Sequence, residues 1–521
     1  MATYEQVEQW MNCSDDEYTA VYPPPTPFET QLEQSVFASM SEHPFDMASD
    51  ADCGWESMFD FTCGFNLALR GGSGSNARQV LLNVTANPST EATESTDTNQ
   101  LVHASNKRIT FLAHGSYGRV PAALVAANTA WTTQVETNPV HFYYQTLYPY
   151  LIRSTRAAAA FVGASPSRVA LVSNVENAFA SVLNSLKHAW TDSHRLAAFD
   201  FTYGACRTAL DRVCEKRGCK LDIIQTTSPL SRESILADFA NYLHAHPERD
   251  SVKLAFFEHI TSPTALVLPV EQLIQLCRAN NILSLVDGAH AIGQVQLSLN
   301  DMQPDFYATN AHKWLCNPRG SAILYTDPQH KSKIHPLITT WGANKGFHSE
   351  FIWQGTDAYS AHLTLFTTIR FFECLTNGNP SSLYTRNANL AKKAGKILAH
   401  VWNTNLLTED EAMFASMVTV RVPPRAPILT PTENNAAEDC GTDACGFSDL
   451  HNDLISKFHV EVPVFTFRGK RYIRVSCHFY NSLQDVYALA RSVLLALGYR
   501  KGVHDALERL DDVIANGGAV V

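Results

Sequence analysis

Two stretches of the chain, Leu285-Val-Asp287-Gly-Ala-His290-Ala and Phe306-Tyr-Ala-Thr-Asn310-Ala-His312-Lys313-Trp314, decide the fold. The first stretch completes an apolar run at residues 282–286, and the second completes one at residues 305–308. Each stretch then ends in polar residues. Such apolar runs are typical of buried strands in a parallel sheet. Because ligands of open α/β sheets bind at the carboxyl ends of the strands, we expect these polar side chains to lie together in one site.

Asp287 and Lys313 stand 26 positions apart, and both would be delivered to that edge of the sheet. The pair suits pyridoxal 5'-phosphate, because a lysine amine forms a Schiff base with the cofactor aldehyde and a carboxylate pairs with the pyridinium nitrogen. Taken alone, the lysine is better explained by a surface position and the aspartate by a helix cap. The two together, with His312 beside the lysine, favour the cofactor.

The same motifs resemble those of the class-V aminotransferase superfamily, which includes the cysteine desulfurases. The nearest branch contains isopenicillin N epimerase and the ergothioneine-pathway C–S lyases. The resemblance implies a fold type I pyridoxal enzyme of the α/β class, with a large domain whose mainly parallel sheet is flanked by helices and a smaller α+β C-terminal domain. It extends over about residues 108 to 500 and includes Phe111-Leu-Ala-His114-Gly-Ser116-Tyr-Gly118, Glu136-Thr-Asn138-Pro-Val-His-Phe142, Tyr203-Gly-Ala-Cys206-Arg207, Gly355-Thr356 and Arg474-Val-Ser476.

The order of the apolar segments divides the chain in a similar way. From residue 168 strands and helices alternate, which predicts a parallel sheet with helices on both faces. Beyond about residue 341 the helical stretches are longer and the strands fewer, which predicts a smaller α+β domain. We therefore expect a large domain at 106–340 with an arm at 108–121, a small domain at 341–503 with an inserted loop at 423–448, and a tail at 504–521.

The net charge of −11 comes from the first part of the chain. Residues 1–100 contain 16 Asp or Glu and two Arg, whereas the remainder contains 38 basic and 35 acidic residues. Proline, glycine and Ser/Thr-rich runs in the first part are typical of linkers. We expect residues 1–105 to be an acidic, largely disordered extension. The alternative is an arm that binds a partner or covers the active site, with docked helices at 28–40 and 55–69.

Composition and the first residues indicate a reduced, cytoplasmic protein. The sequence has no apolar run near the ~20 residues of a membrane span, and its start resembles neither a secretory signal nor an Arg-rich transit peptide. The twelve cysteines are scattered, and the one tight pair in the C-terminal half, Cys440 and Cys445, has the wrong spacing for a zinc knuckle. We expect neither a nucleic-acid partner nor a membrane partner, and no metal.

A phosphate site is predicted where the strand at 169–172 passes into a helix. Unpaired N–H groups and the helix dipole favour an anion there, next to Asn174 and Val175. The resemblance implies that Asn310 and His312 also contact the phosphate. Glu176 departs from the family pattern at this turn, because its charge would repel a phosphate unless the side chain points away.

Three further residues are assigned to the cofactor ring. The resemblance implies that Tyr203 packs over the pyridine ring, where an aromatic face limits its tilt. It also implies that His290 contacts the 3-oxygen of the ring or the Schiff-base side, and His259 is a second candidate for that oxygen. Cys206 either donates a proton to a leaving sulfur group or is a packed small residue.

Substrate and partner contacts are predicted from the arm and the small domain. Arginine binds a carboxylate through two oxygens at once, and the resemblance makes Arg474 the residue for an amino-acid α-carboxylate. His114 and Ser116, in a glycine-containing stretch, would line the substrate pocket. Thr356 matches a residue that reaches the phosphate of the neighbouring subunit, which implies a homodimer with shared active sites.

The reaction depends on the pocket, and three reactions stay open. We favour a lyase that cleaves the C–S bond of an S-substituted cysteine, with Lys313 as the catalytic amine. An epimerase needs a second acid on the opposite face of the cofactor ring. A desulfurase needs a thiolate on a mobile loop of the small domain, and only Cys440 and Cys445 could supply it. A pyridoxal-binding scaffold is the non-enzymatic alternative, but it has no need of an arginine such as Arg474.

Overall fold

A computed structural model describes residues 3–15, 17, 30, 34, 109–245, 249–426, 449–500 and 505–516. The strands in these residues are β1 (Thr110–Phe111), β2 (Val169–Val172), β3 (Arg195–Phe199), β4 (Lys220–Ile224), β5 (Val252–Glu258), β6 (Leu283–Asp287), β7 (Phe306–Asn310), β8 (Ala322–Thr326), β9 (Met417–Arg421), β10 (Val460–Glu461), β11 (Val464–Phe467) and β12 (Lys470–Ser476).

Helices of varied length surround these strands. Those used below are α1 (Tyr4–Asn12), α2 (His114–Tyr117), α3 (Ala122–Thr137), α4 (Leu147–Phe161), α5 (Val175–Leu186), α6 (Gly204–Arg217), α7 (Arg232–Ala245), α8 (Val270–Ala279), α9 (Leu299–Met302), α10 (Phe347–Phe351), α11 (Ser360–Leu375), α12 (Pro380–Trp402), α13 (Asp449–Phe458), α14 (Leu483–Ala496) and α15 (Asp505–Ala515). A π-helical segment, Phe142–Thr146, leads into α4.

The large domain is built on a seven-stranded sheet in the order β2-β8-β7-β6-β5-β3-β4. The pairs among β7, β6, β5, β3 and β4 are parallel, whereas β8 runs antiparallel to both its neighbours. β6 and β7 are buried along nearly their whole length, because helices cover both faces of the sheet. The prediction of an α/β fold with a mainly parallel sheet is confirmed.

Successive side chains of a strand point to opposite faces, so the sheet separates two apolar cores. Phe257 and Tyr307 belong to one core, which also holds α4 and α11. Phe256 and Phe306, their neighbours in sequence, belong to the other, which holds α5 and α6.

The small domain has its own sheet and core. Its antiparallel strands follow the order β11-β12-β9, and they pack with α12 and α14 in a third apolar cluster. The arm joins this domain as well, because β1 pairs in parallel with β10. Arm and small domain therefore form one structural unit around the start of α2.

The first helix, α1, packs on the large domain. Val7 and Met11 are buried in the core that also contains α4, and Thr3 and Gln6 form a capping box at the start of the helix. The acidic extension thus begins with a docked segment. Residues 35–108, with most of the proposed docked helices and linkers, lie outside the described residues, as do Cys440, Cys445 and most of the inserted loop.

Within the described ranges, no helix combines the length and the apolar character that crossing a bilayer requires.

Candidate active site

The carboxyl ends of β6 and β7 bring Asp287 and Lys313 to one edge of the sheet. Asp287 is the last residue of β6 and lies opposite Ala308 of β7, and Lys313 follows three residues after the end of β7. The negative charge of Asp287 raises the pKa of Lys313, in opposition to the larger effect of burial. The predicted proximity of these two residues is present in the structure.

The Lys313 amine is held in a form suited to nucleophilic attack. Burial lowers its pKa to about 8, so a sizeable fraction is neutral near physiological pH. Its Nζ lies 3.3 Å from Nε2 of His290, whose Nδ1 accepts a hydrogen bond of 3.2 Å from the Trp314 indole. Because Nδ1 of His290 is an acceptor, the ring proton is on Nε2 and is directed at the lysine amine.

Asp287 is a buried carboxylate without an ion-pair partner among the described residues. Its Oδ1 accepts from the Ala289 N–H at 2.8 Å, and Oδ2 lies 3.5 Å from the Cys206 thiol. Burial raises its pKa to about 6. A buried carboxylate of this kind is stabilised by a cation, and the protonated ring nitrogen of pyridoxal phosphate supplies one. The surroundings of Asp287 therefore fit the pyridine ring of this cofactor.

Cys206 lies beneath this carboxylate, within the apolar core that contains α6. Its thiol donates to Asp287, and burial raises its pKa well above the ordinary value. An acid for a leaving group must reach the substrate, whereas this thiol is already used on Asp287. The structure therefore favours the packed alternative for Cys206, with its thiol directed at Asp287, and the role of proton donor to a leaving group stays a prediction.

Glu258 is a site residue that the sequence analysis did not assign. It ends β5 directly beside Asp287, and its Oε1 accepts from the Tyr203 N–H at 2.7 Å. Burial raises its pKa to about 8, with a further contribution from the charge of Asp287. The sequence contains a signal for this residue, because neighbouring parallel strands that both end in a carboxylate place the two groups side by side.

The N-terminus of α5 occupies the predicted phosphate position. Asn174 caps the helix by accepting from the Asn177 N–H at 2.8 Å, and the Val175 N–H donates to Asn310 Oδ1 at 3.2 Å. Asn310 is thus brought to this helix end, as expected, although its oxygen binds the backbone. Glu176 is exposed, and its charge raises the pKa of Lys313. Phosphate binding by Asn174, Val175 and Asn310 stays a prediction.

His312 is held beside the lysine by a hydrogen bond from its ring to the backbone. Its Nδ1 donates to the Ser321 carbonyl at 2.9 Å, and burial lowers its pKa to about 4. With the proton on Nδ1, the neutral ring presents an acceptor at Nε2. Contact with a phosphate oxygen would therefore require a second proton, which the phosphate charge itself would favour.

Arg474 reaches the site from β12 of the small domain. Its guanidinium is buried and donates to the hydroxyls of Ser262 and Ser116, each at 3.0 Å, while its Nε has no hydrogen-bond partner in the described part of the chain. Burial lowers its pKa to about 10, and the charge of Tyr203 raises it, so Tyr203 lies near the same space. Arg474 and Ser116 are thus together as predicted, and Ser262 is an addition.

Two histidines named from the sequence have hydrogen-bond partners that the sequence did not indicate. His114 is completely buried, with Nδ1 2.8 Å from the Tyr480 hydroxyl and Nε2 3.0 Å from the Lys313 carbonyl, and its place in a substrate pocket stays a prediction. Nδ1 of His259 lies 2.8 Å from the Tyr307 hydroxyl, and its contact with the 3-oxygen of the cofactor stays a prediction. Elsewhere, Arg468 forms an ion pair with Asp200 at 2.8 Å.

Thr356 lies in the exposed loop between α10 and α11. The loop is braced by the Tyr359 hydroxyl, which donates to the Gly355 carbonyl at 2.8 Å, and Gly355 has a φ of 109° that favours glycine. The contact of Thr356 with the phosphate of a partner subunit stays a prediction.

Comparison with known proteins agrees with this site. The family model described as aminotransferase class-V matches residues 118–489, and the chain belongs to that family. Pyridoxal phosphate is accordingly its cofactor, and the protein is a pyridoxal-phosphate-dependent enzyme.

Among curated relatives, a putative L-cysteine desulfhydrase 2 of Oryza sativa subsp. japonica is 30% identical over 431 residues, which cover 76% of this chain and 86% of the relative. An isopenicillin N epimerase of Streptomyces clavuligerus is 27% identical and covers 72% of this chain and 92% of the relative. The predicted branch of the family is confirmed by these names.

Solved structures are similar at the level of the fold. The cystine C–S lyase C-DES, solved in complex with its reaction product cysteine persulfide, has a TM-score of 0.63 at 19% identity and covers 74% of this chain and 97% of its own. A cysteine desulfurase from Thermococcus onnurineus NA1 has a TM-score of 0.62 at 18% identity and covers 75% of this chain and 94% of its own.

Proposed function

We propose that this enzyme is a C–S lyase that cleaves the Cβ–S bond of cysteine or of an S-substituted cysteine. The observation that carries the proposal is Arg474, a buried guanidinium with no carboxylate partner among the described residues and an orphaned Nε. A buried cation of this kind is costly unless a charge pairs with it. The α-carboxylate of an amino acid supplies that charge, and Ser116 and Ser262 aim the guanidinium.

The other site residues fit proton abstraction next to that carboxylate. When bound, the cofactor supplies an electron sink for a negative charge developing on the substrate α-carbon. Asp287 holds the ring nitrogen in its protonated form. The Lys313 amine, with a pKa lowered to about 8, would remove the α-proton. His290 keeps Nζ at a fixed position through its Nε2.

A single base favours elimination over inversion. Elimination needs one group that takes the α-proton and returns a proton to the departing sulfur, whereas inversion needs a second group on the opposite face of the ring. Cys206, the side chain considered above as a further proton donor, already uses its thiol on Asp287. Four of the curated relatives are named as L-cysteine desulfhydrases, which supports the same choice.

Epimerisation is the second candidate, and the 27% identity to an isopenicillin N epimerase favours it over the remaining options. A desulfurase has less support, because it requires a thiol that reaches the substrate. The described cysteines are buried except Cys13 and the exposed Cys374, and both are remote in sequence from the site motifs. Cys440 and Cys445 lie outside the described residues.

A substrate panel separates these reactions. Purified holoenzyme is incubated with L-cysteine, L-cystine and S-alkyl-L-cysteines, and the products are assayed for pyruvate, for sulfide or thiol, and for the D-enantiomer. We expect pyruvate and the sulfur product in equal amounts without accumulation of the D-enantiomer. The matched controls are Lys313→Ala, which should produce neither, and Lys333→Ala, an exposed lysine that should behave as the wild type.

The outcome identifies the reaction class. Release of persulfide or alanine from L-cysteine would indicate a desulfurase instead of a lyase. Chiral inversion without pyruvate would make the epimerase the correct assignment. The cytoplasmic location expected from the sequence is a separate proposal, which fractionation of the native cells would test.

A further inference from the structure

A buried group of side chains surrounds the backbone that carries Lys313. The chain turns sharply after the lysine, where the Cys316 N–H donates to the Lys313 carbonyl at 3.0 Å and Cys316 has a φ of 62°. Nε2 of His114 lies 3.0 Å from the same carbonyl, and Nε2 of His478 lies 3.1 Å from the carbonyl of Trp314. Both histidines are completely buried.

The hydrogen bonds fix the protonation of both rings. A carbonyl oxygen only accepts, so Nε2 of His114 and Nε2 of His478 each bear a proton. The Phe479 N–H donates to Nδ1 of His478 at 2.8 Å, and the Tyr480 hydroxyl lies 2.8 Å from Nδ1 of His114. Burial lowers the pKa of both histidines, that of His478 to about 3, which keeps the rings neutral.

A metal ion is the other explanation for such a group. One ligand atom each from His114, Cys316 and His478 lies within 4.8 Å of the others, which is a spacing that a metal could span. A metal on Nε2 would displace both carbonyl bonds and transfer each ring proton to Nδ1. At His478 the proton on Nδ1 would then point at the Phe479 N–H, so that two donors would face each other. The hydrogen-bond pattern therefore fits neutral, Nε2-protonated imidazoles and opposes a metal.

Neither histidine belongs to the domain that holds the lysine. His114 begins α2 of the arm, two residues before Ser116, and His478 follows β12, four residues after Arg474. Ser116 and Arg474 are hydrogen-bonded to each other at the proposed carboxylate site. The arm also approaches the lysine turn closely, since a Cβ on Gly118 would lie 2.2 Å from the His312 carbonyl oxygen.

We propose that His114 and His478 are positioning residues that hold the Lys313 turn from the arm and the small domain. Through Ser116 and Arg474 the same two segments hold the substrate carboxylate. Binding of that carboxylate and placement of the lysine amine are therefore coupled. The proposal rests on Lys313 as the catalytic amine, which every reaction of this family requires, and it does not depend on the choice between lyase and epimerase.

Paired substitutions at His478 test the role of the ring proton. His478→Gln retains an N–H near the position of Nε2, whereas His478→Phe retains an aromatic ring without a donor. We expect the Phe variant to lower kcat by about tenfold to a hundredfold with little change in KM for substrate, because a small displacement of a reacting group has effects of this size. The Gln variant should recover a substantial part of kcat. His114→Gln and His114→Phe should behave in the same way.

A second readout does not depend on turnover. The pH dependence of the visible absorbance of the bound cofactor reports the environment of the Lys313 nitrogen, and it should shift in both Phe variants and return towards the wild type in the Gln variants. His451→Phe is the matched control, because His451 is a buried small-domain histidine that pairs with Glu461 instead of the lysine turn. It should leave the absorbance titration unchanged, even where it lowers thermal stability.

If a Phe variant does not fold, nitrogen-15 NMR of histidine-labelled wild-type protein and of the Gln variants tests the protonation of the two rings directly. One neutral, Nε2-protonated ring should disappear from the spectrum in each single Gln variant, and the purified protein should contain no stoichiometric metal. Nδ1-protonated rings with one equivalent of metal, or Phe variants with unchanged kcat and titration, would overturn the proposal. Failure of the lyase assay alone would leave these readouts intact and would refute only the reaction proposed above.

Discussion

At the level of single residues, the protonation of Lys313 has a measurable consequence. Its pKa is lowered by burial from an ordinary value of 10.5 to about 8, so the reactive neutral amine accumulates as the pH rises through 8. We expect cofactor-free enzyme to incorporate pyridoxal phosphate about tenfold faster at pH 9 than at pH 7, with a plateau above pH 9. Borohydride fixation followed by mass spectrometry of the Lys313 peptide measures the rate.

Asp287 provides the control for this pH dependence. Its charge raises the Lys313 pKa, so Asp287→Asn should move the midpoint of incorporation to lower pH, although it weakens the final complex. A wild-type rate that still rises tenfold per unit above pH 9 would mean that the amine has an ordinary pKa, contrary to the buried position in the structure.

Arg474 determines a second prediction at this scale. Loss of hydrogen bonds to a charged group costs about 1.5–3 kcal/mol, so Arg474→Ala should lower kcat/KM for an amino-acid substrate by about tenfold to a hundredfold. Cofactor affinity should stay near normal. Arg471 lies on the same strand, three residues away and only half-buried, so Arg471→Ala is the matched control and should change kcat/KM less than twofold. Equal losses in both variants would contradict the assignment of Arg474.

The residues predicted well are those whose position follows from the end of a strand. Asp287 and Lys313 could be placed because the carboxyl edge of a parallel sheet is a defined location. His114 and Cys206 could not, because a motif gives the order of residues but not which way each side chain points. In α2, His114 turns inward to the Lys313 carbonyl while Ser116 turns to Arg474. The identity of neighbouring residues does not distinguish these directions.

At the level of elements, α1 is held on the large domain by buried apolar side chains and by a carboxylate, that of Glu8. Glu8 Oε1 accepts from the Ser349 N–H at 2.9 Å, and Oε2 lies 3.2 Å from Nδ1 of His348. Burial opposes ionisation of Glu8, but the hydrogen bonds and the charge of His348 outweigh it and lower the Glu8 pKa from 4.5 to about 2. The ionised carboxylate therefore stabilises the docked helix.

Glu8→Gln should lower the melting temperature by about 1–2 °C at neutral pH, since a partly exposed pair contributes about 1 kcal/mol or less. A carboxyl group with a lowered pKa stabilises the fold above its unfolded pKa and loses that contribution as the pH falls towards its folded pKa. The difference between the two proteins should thus be complete above pH 4.5 and decline below it. A difference that is constant from pH 7 to pH 3 would show that the charge of Glu8 is unimportant.

The elements also show where sequence patterns were insufficient. The strands predicted at 169–172 and 282–286 agree with β2 and β6 to within one residue at each end, because each is a continuous apolar run. β8 was not predicted, since an antiparallel strand inserted between β2 and β7 breaks the alternation of strand and helix. α1 was missed although Thr3 and Gln6 form a capping-box signature, because the acidic composition of the extension pointed to disorder.

At the level of the whole molecule, the active site is assembled from three parts of the chain. The large domain supplies Lys313 and Asp287, the small domain supplies Arg474, and the arm supplies Ser116. The arm is joined to the small domain by the pairing of β1 with β10. An ion pair between Arg468 and Asp200 and hydrogen bonds from Arg468 to Thr226 connect the hairpin β11–β12 with the large domain. The site is complete only when these parts are in contact.

Thr356 extends this argument to a second subunit, which we propose completes the phosphate site. The side chain is exposed in its own chain, and the loop that bears it is braced at Gly355 and Asp357, the latter through a hydrogen bond from the Tyr143 hydroxyl at 3.1 Å. Loss of one hydroxyl hydrogen bond to a charged group costs about 1.5–3 kcal/mol. Thr356→Val should therefore weaken cofactor binding by about tenfold to a hundredfold without altering the fold.

Mixing two inactive proteins tests whether the site is shared. At limiting cofactor, Lys313→Ala lacks the amine and Thr356→Val lacks the partner contact, but a hybrid dimer contains one site with the intact Lys313 and the intact Thr356. Random exchange makes half of the dimers hybrids, and each has one working site of two, so about a quarter of the wild-type activity should return. Because Thr356→Val has its own lysine, saturating cofactor should restore its activity without any partner, which separates weak binding from lost chemistry. A monomer in solution, or proven subunit exchange without recovered activity, would place Thr356 outside the active site.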